Sequence, residues 1–163
     1  MRRVVITGMG MVTSLGIGVD RNWAGLLAGK SGIRAIENFD VSDLPAKIAG
    51  QVPEGPTEDG LFFSDDWVSP KDRRRMDDFI VYGLCAAKQA IEDSGWVVET
   101  EEQAWRTGVL IGSGIGGLPE IAGGAIKVNE GKARRLSPFF IPARLINLIS
   151  GHVSIRWGFQ GPN

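Results

Sequence analysis

Alternation of short β-branched runs with longer stretches of helical periodicity predicts an α/β fold. Val4-Val5-Ile6 is apolar on both faces, as a strand of a covered parallel sheet must be, and Arg106 to Ile111 reads as the next strand. Between and after them, apolar residues recur at spacings of three and four. The glycines supply the third observation. There are 23 in 163 residues, and they cluster where apolar runs end, so many tight turns join strands to helices.

Bulk properties narrow the function. An apolar fraction of 43% in 163 residues is enough for one domain with a real core. A formal net charge of −1 gives no global field that would gather nucleic acid or an anionic membrane surface. The single cysteine excludes a disulfide framework and fits a reducing compartment. Two arginines precede the first apolar run, but Thr7, Gly8 and Gly10 break it, and no run approaches the ~18 apolar residues of a spanning helix. The expectation is a soluble, cytoplasmic protein.

In chain order, Val4-Val5-Ile6 leads into a turn, Gly8 to Gly16, that invites a nucleotide-binding reading. Against it, the third glycine of G-x-G-x-x-G falls on Thr13, and no acid ends a second strand at the required distance. A turn leaving the sheet is the favoured reading, with a nucleotide-binding α/β domain as the alternative. The next helix is expected near Asp20 as N-cap, with Trp23, Leu26 and Leu27 on its apolar face. Residues 31–66 lack periodicity, and PEGPTEDG (53–60) reads as a surface excursion.

Ser69-Pro70 opens a helix expected to run to about Ser94. Lys71, Arg74 and Arg75 stand at i, i+3 and i+4 with Arg73 beside them, so the cations share an exposed face. Cations at a helix start oppose the macrodipole, which leaves two readings: a solvated end, or a face for an anionic partner. Further along, Phe79, Ile80, Leu84, Ala87 and Ile91 form a core stripe, with Gly83 permitting close approach of a neighbour. Cys85 lies in that stripe. It could be paired on paper with His152, the only histidine, as a Cys–His hydrolase. A mid-helix thiol lacks the electropositive setting a nucleophile needs, so a structural role is favoured for both.

Gly112-Ser113-Gly114-Ile115-Gly116-Gly117 satisfies G-x-G-x-x-G formally, but no long helix is expected after it; its backbone turns sharply and leaves Ile115 as the single large group. A short helix is expected at 121–130. Arg134 and Arg135 follow in a second basic cluster. Phe139 and Phe140, being adjacent, point to different sides, so either both serve the core or one serves a surface. Ser137-Pro138 and Pro142 mark a helix start, Ile141, Leu145, Leu148, Ile149 and Val153 its buried face, and Gly158 its left-handed exit.

The last stretch, SPFF-x-P, SGHVSI and G-x-QGPN, resembles the lead-in to the active site of β-ketoacyl-[acyl-carrier-protein] synthases, most closely the elongating bacterial type. VVITGMGMVTSLG, SGI-R-x-I-x-x-F and GSGIGG are similar to the same family, so the resemblance covers Arg3 to Asn163. It implies the N-terminal half of a thiolase-like αβαβα layered sandwich that dimerises, with 1–163 as an incomplete N-terminal domain. The nucleophilic cysteine and the supporting histidines would lie beyond Asn163, leaving this stretch alone without condensing activity. The implied reaction is decarboxylative Claisen condensation of acyl and malonyl thioesters held on acyl carrier protein, with no metal or nucleotide and with phosphopantetheine arriving on the carrier. By the same resemblance Ile115 and Phe140 would line the acyl pocket, and Lys71, Arg74, Arg75, Arg134 and Arg135 would dock the carrier. A carrier-docking module without chemistry is the further alternative.

Overall fold

Helix α3, Asp78–Ser94, carries the core. Ile80, Val81, Leu84 and Cys85 on its inner face are fully enclosed, and Ile149 and Val153 of helix α6, Leu148–Trp157, pack against them. In the computed structural model, which describes residues 2–163, a Cβ placed on Gly83 would overlap the Ile149 side chain. The glycine is therefore what lets α6 lie so close to α3, as its spacing predicts. Phe62, Trp67 and Val68 from the stretch ahead of Ser69, with Val109 and Phe159, close the cluster. Both helices end on a left-handed glycine, Gly95 at φ 64° and Gly158 at φ 72°.

The remaining helices are α1 (Val19–Leu27), α2 (Pro70–Arg73), α4 (Glu101–Arg106) and α5 (Leu118–Asn129). Strands β1 (Val12–Thr13) and β2 (Gly16–Ile17) form a minimal antiparallel hairpin, and β3 (Ile33–Ala35) pairs with β4 (Ile48–Gly50) in a second. The second hairpin lies in the region without periodicity. Three-residue strands are too short to show alternation.

Several expectations are corrected. Val4-Val5-Ile6 has no strand partner among the described residues, and Val4 is 92% exposed. The second expected strand is partly helix, because Thr100 and Gln103 build a capping box that starts α4 and carries it to Arg106. Beyond it Val109 points inward, whereas Leu110 is 98% exposed. This segment does find a neighbour: Gly161 donates to the Thr107 carbonyl (3.0 Å) and Val109 to that of Pro162 (2.9 Å). The two numberings rise together, so the contact begins a parallel pairing.

On α1 the cap is Gly18, not Asp20, and the apolar stripe faces outward, Trp23 being 60% exposed. The inward side belongs to Asn22 and Gly25. The buried Asn22 amide donates to the carbonyls of Gly16 (3.1 Å) and Gly18 (2.7 Å), which no apolar residue could do. The helix expected from 69 to 94 breaks at 74–77. Asp77 is in extended backbone geometry as the N-cap of α3, a role in which its carboxylate outcompetes helix continuation. The final helix begins only at Leu148, since residues 138–147 form turns around the two prolines and leave Ile141 and Leu145 exposed. No helix among the described residues is long and apolar enough to cross a membrane.

Candidate functional site

The break at 74–77 shapes the site. Ser69 caps α2 by accepting from the Asp72 amide (3.1 Å), and α2 then stops after one turn. Lys71 and Arg73 therefore lie in its last turn, where the macrodipole favours cations. Electrostatic misfit consequently gives no argument for an anionic partner. Exposure gives one. Lys71, Arg74 and Arg75 are open to solvent, while Arg73 is spent internally, donating to the Met76 carbonyl (2.7 Å) and pairing with Asp78.

Between α2, the start of α5 and the 137–144 turn lies a cavity of about 260 Å³. Arg74, Asp77, Glu120, Ser137, Phe139 and Arg144 are among its walls. The Arg75 guanidinium stacks 4.6 Å from the Phe139 ring centre. Arg134 and Arg135 form a single exposed turn just before Ser137. Of the exposed cations, Arg74 lines this cavity, and Arg134 and Arg135 lie in the turn that leads into its Ser137 wall.

Asp77 and Arg144 are buried here. Asp77 Oδ1 accepts from the Asp78 amide (2.7 Å), Oδ2 is enclosed without a partner, and burial pushes its carboxyl pKa up. Arg144 pairs with Glu120 at 2.6 Å. Neither residue stands out in the sequence as a site residue. The available signal is that Arg144 is the only charge in the run Ser137 to Ser150.

Phe139 and Phe140 are both half-buried. Ile115 is 64% exposed at the tip of the glycine turn. Contrary to expectation a twelve-residue helix, α5, starts directly after that turn. Its first turn is nonetheless closed to a phosphate by the protein itself: a Cβ on Gly117 would strike the Asp77 carboxylate. The other glycine turn is filled as well. Gly8 and Gly10 lie against the α3 backbone at Ala90 and Ala86, with the Met9 amide donating to Asp93 (2.9 Å). A pyrophosphate would need that space.

The Cys85 thiol is buried and accepts from Gln89 Nε2 (3.3 Å), and burial pushes its pKa up to about 12. This is the opposite of an activated nucleophile. His152 faces a separate cavity with Ser69, Asp72 and Arg75, and burial lowers its pKa against the opposing pull of Asp72. No hydrogen bond joins it to Cys85 among the described residues.

Comparison with known proteins fits this arrangement. The family model for the β-ketoacyl synthase N-terminal domain matches residues 1–163. The chain is 53% identical over its whole length to 3-oxoacyl-[acyl-carrier-protein] synthase 2 of Rhizobium meliloti (strain 1021), covering 39% of that protein. It is 48% identical to the synthase 2 of Vibrio cholerae serotype O1 over 99% of its length and 37% of the relative's. The chain therefore spans well under half the length of these relatives. A solved β-ketoacyl synthase from Burkholderia phymatum STM815 superposes on 99% of the chain, and 38% of its own, with a TM-score of 0.79 at 28% identity. The two extended segments thus belong to a thiolase-like α/β fold, as expected. Motif, architecture and whole-length similarity converge, and the chain belongs to the β-ketoacyl synthase family.

Proposed function

We propose that this chain is the N-terminal part of a 3-oxoacyl-[acyl-carrier-protein] synthase that elongates acyl chains by decarboxylative Claisen condensation. The observation that carries the reading is 53% identity across the whole chain to a synthase of that name. In the reaction a cysteine thiolate attacks the acyl thioester of the carrier's phosphopantetheine and releases the carrier thiol. Malonyl-carrier then loses CO₂, and the electron pair of the broken C–C bond attacks the acyl-enzyme carbonyl. The C–S bond breaks, its electron pair leaves on sulfur to restore the cysteine thiolate, and the chain leaves two carbons longer on the carrier.

Cys85, the only cysteine of the 163 residues, is buried and protonated, which supports a nucleophile and histidine pair supplied from outside this segment. The segment's own share is recognition. Lys71, Arg74, Arg75, Arg134 and Arg135 offer exposed cations to an acidic carrier, and Ile115 and Phe140 border the acyl chain. The working enzyme is a homodimer, and needs no metal or nucleotide of its own.

Acylation by radiolabelled acyl-carrier protein tests the reading, on this chain and on one extended through the rest of a family-length sequence. The expected result is label on the extended chain only. Label on Cys85 of the short chain would overturn it. In the extended enzyme, Lys71→Glu with Arg74→Glu raises KM for acyl-carrier about tenfold and leaves acyl-pantetheine turnover unchanged.

A further inference from the structure

Arg144 is the only buried cation among the described residues, and its position is expensive. A guanidinium removed from water is repaid only by well-formed partners, and an apolar replacement is often no less stable. Here Nε has no partner at all. The other contacts explain what the group accomplishes. One terminal nitrogen donates to the Phe140 carbonyl and the other to Glu120 of α5 (2.6 Å). The guanidinium carbon stands 4.0 Å from the Phe140 ring centre. A further edge of that ring lies against α5, where a Cβ on Gly124 would overlap it. The ring is thus held between a cation and a helix, and the same cation holds the helix.

The backbone of Arg144 makes a second connection. Gly116, with φ 83°, lies so close to the Arg144 carbonyl that a Cβ there would strike it. The turn carrying Ile115 therefore rests on the main chain of the residue whose side chain clamps Phe140. Both residues assigned above to the acyl pocket are referred to one fixed point.

We propose that Arg144 is a positioning residue of the acyl pocket: through Glu120 and the Phe140 ring it sets the separation between Phe140 and the Ile115 turn, and with it the acyl length the enzyme accepts. The inference rests on the condensing-enzyme reading. It assigns to Arg144 and Glu120 a part in substrate selection that a purely structural ion pair would not have.

The test is kcat/KM of the full-length synthase for hexanoyl-carrier and dodecanoyl-carrier. If the unsubstituted enzyme condenses neither, the functional reading fails, and this proposal with it. If it condenses them, Arg144→Gln is expected to change the ratio of the two values about tenfold, chiefly through KM of the acyl donor. Arg144→Lys keeps the charge but not the two-pronged contact, and recovers less than half of that change. Glu120 is exposed on its outer side, so Glu120→Gln leaves the fold intact; it should move the ratio in the same direction, about threefold. A ratio within about twofold of the unsubstituted enzyme in Glu120→Gln, and in Arg144→Gln where that variant folds, overturns the proposal even if thermal stability falls. Should Arg144→Gln not fold, Glu120→Gln decides alone.

Discussion

The α3–α6 pair and the two extended segments are built from equally apolar sequence, yet they end in opposite states. In the helix pair Ile80, Val81 and Cys85 are wholly excluded from water. In the extended segments Val4 and Leu110 are almost wholly bathed in it. A helix satisfies its own backbone and needs a neighbour for one stripe only. A strand of a covered sheet needs partners on both edges and layers on both faces. Apolar surface of this extent is interaction surface.

The comparison is broken most strongly at the helix contact. Ile149→Ala should cost about 3 kcal/mol in urea unfolding, through lost burial and the cavity left behind. Gly83→Ala should cost about 2 kcal/mol by forcing the helices apart. Because the two residues touch, the double variant should be more stable than the sum predicts by about 1 kcal/mol. Strict additivity would mean that Gly83 does not set the approach of α6.

Titration sharpens the contrast with a smaller effect. Burial raises the Cys85 pKa from 9.0 to about 12, so the unfolded chain releases its proton first as pH rises. The resulting stability is present below pH 9.0 and is lost between there and about 12; Cys85→Ala should flatten that part of the profile. His152 has the opposite sign of dependence. Its lowered pKa gives stability that is present above 6.5 and lost as pH falls below it, and His152→Gln should remove the acid-side slope.

The smallest effect belongs to the extended segments. Leu110→Ala should change unfolding of this chain by less than about 0.5 kcal/mol, because the side chain buries almost nothing. A cost above 2 kcal/mol in urea denaturation would mean that Leu110 is covered in solution.

The same physical distinction decides how much the sequence disclosed. The core stripe of α3, the role of Gly83, the structural nature of Cys85 and the exit at Gly158 were legible because each follows from local periodicity or a single backbone preference. The stripe Trp23, Leu26 and Leu27 misled, since hydrophobicity does not reveal that the inward place on α1 goes to the amide of Asn22. The break before α3 was hidden because Asp77 reads equally as a helix-face acid or a cap. Its choice is tied to a tertiary bond, its amide donating to the Ala143 carbonyl (3.2 Å). At the site, exposed cations were legible one by one. The clamp of Arg144 on Phe140 and Glu120 was not, because it joins an i, i+4 contact outside any helix to a partner 24 residues away.

The seating of the first segment on α3 sets up a vernier. Gly8 and Gly10 fall against the helix backbone at Ala90 and Ala86, and the amides of Met9 and Met11 donate to Asp93 and Gln89. Two steps along the extended chain advance about 6.6 Å. Four steps back along the helix advance about 6.0 Å, so the two rulers coincide at successive marks. The bare backbone of each glycine meets helix backbone, and each intervening methionine turns its side chain away. Losing or adding one residue here would not slide the chain by a small amount; it would bring a methionine side chain down where only a hydrogen atom fits.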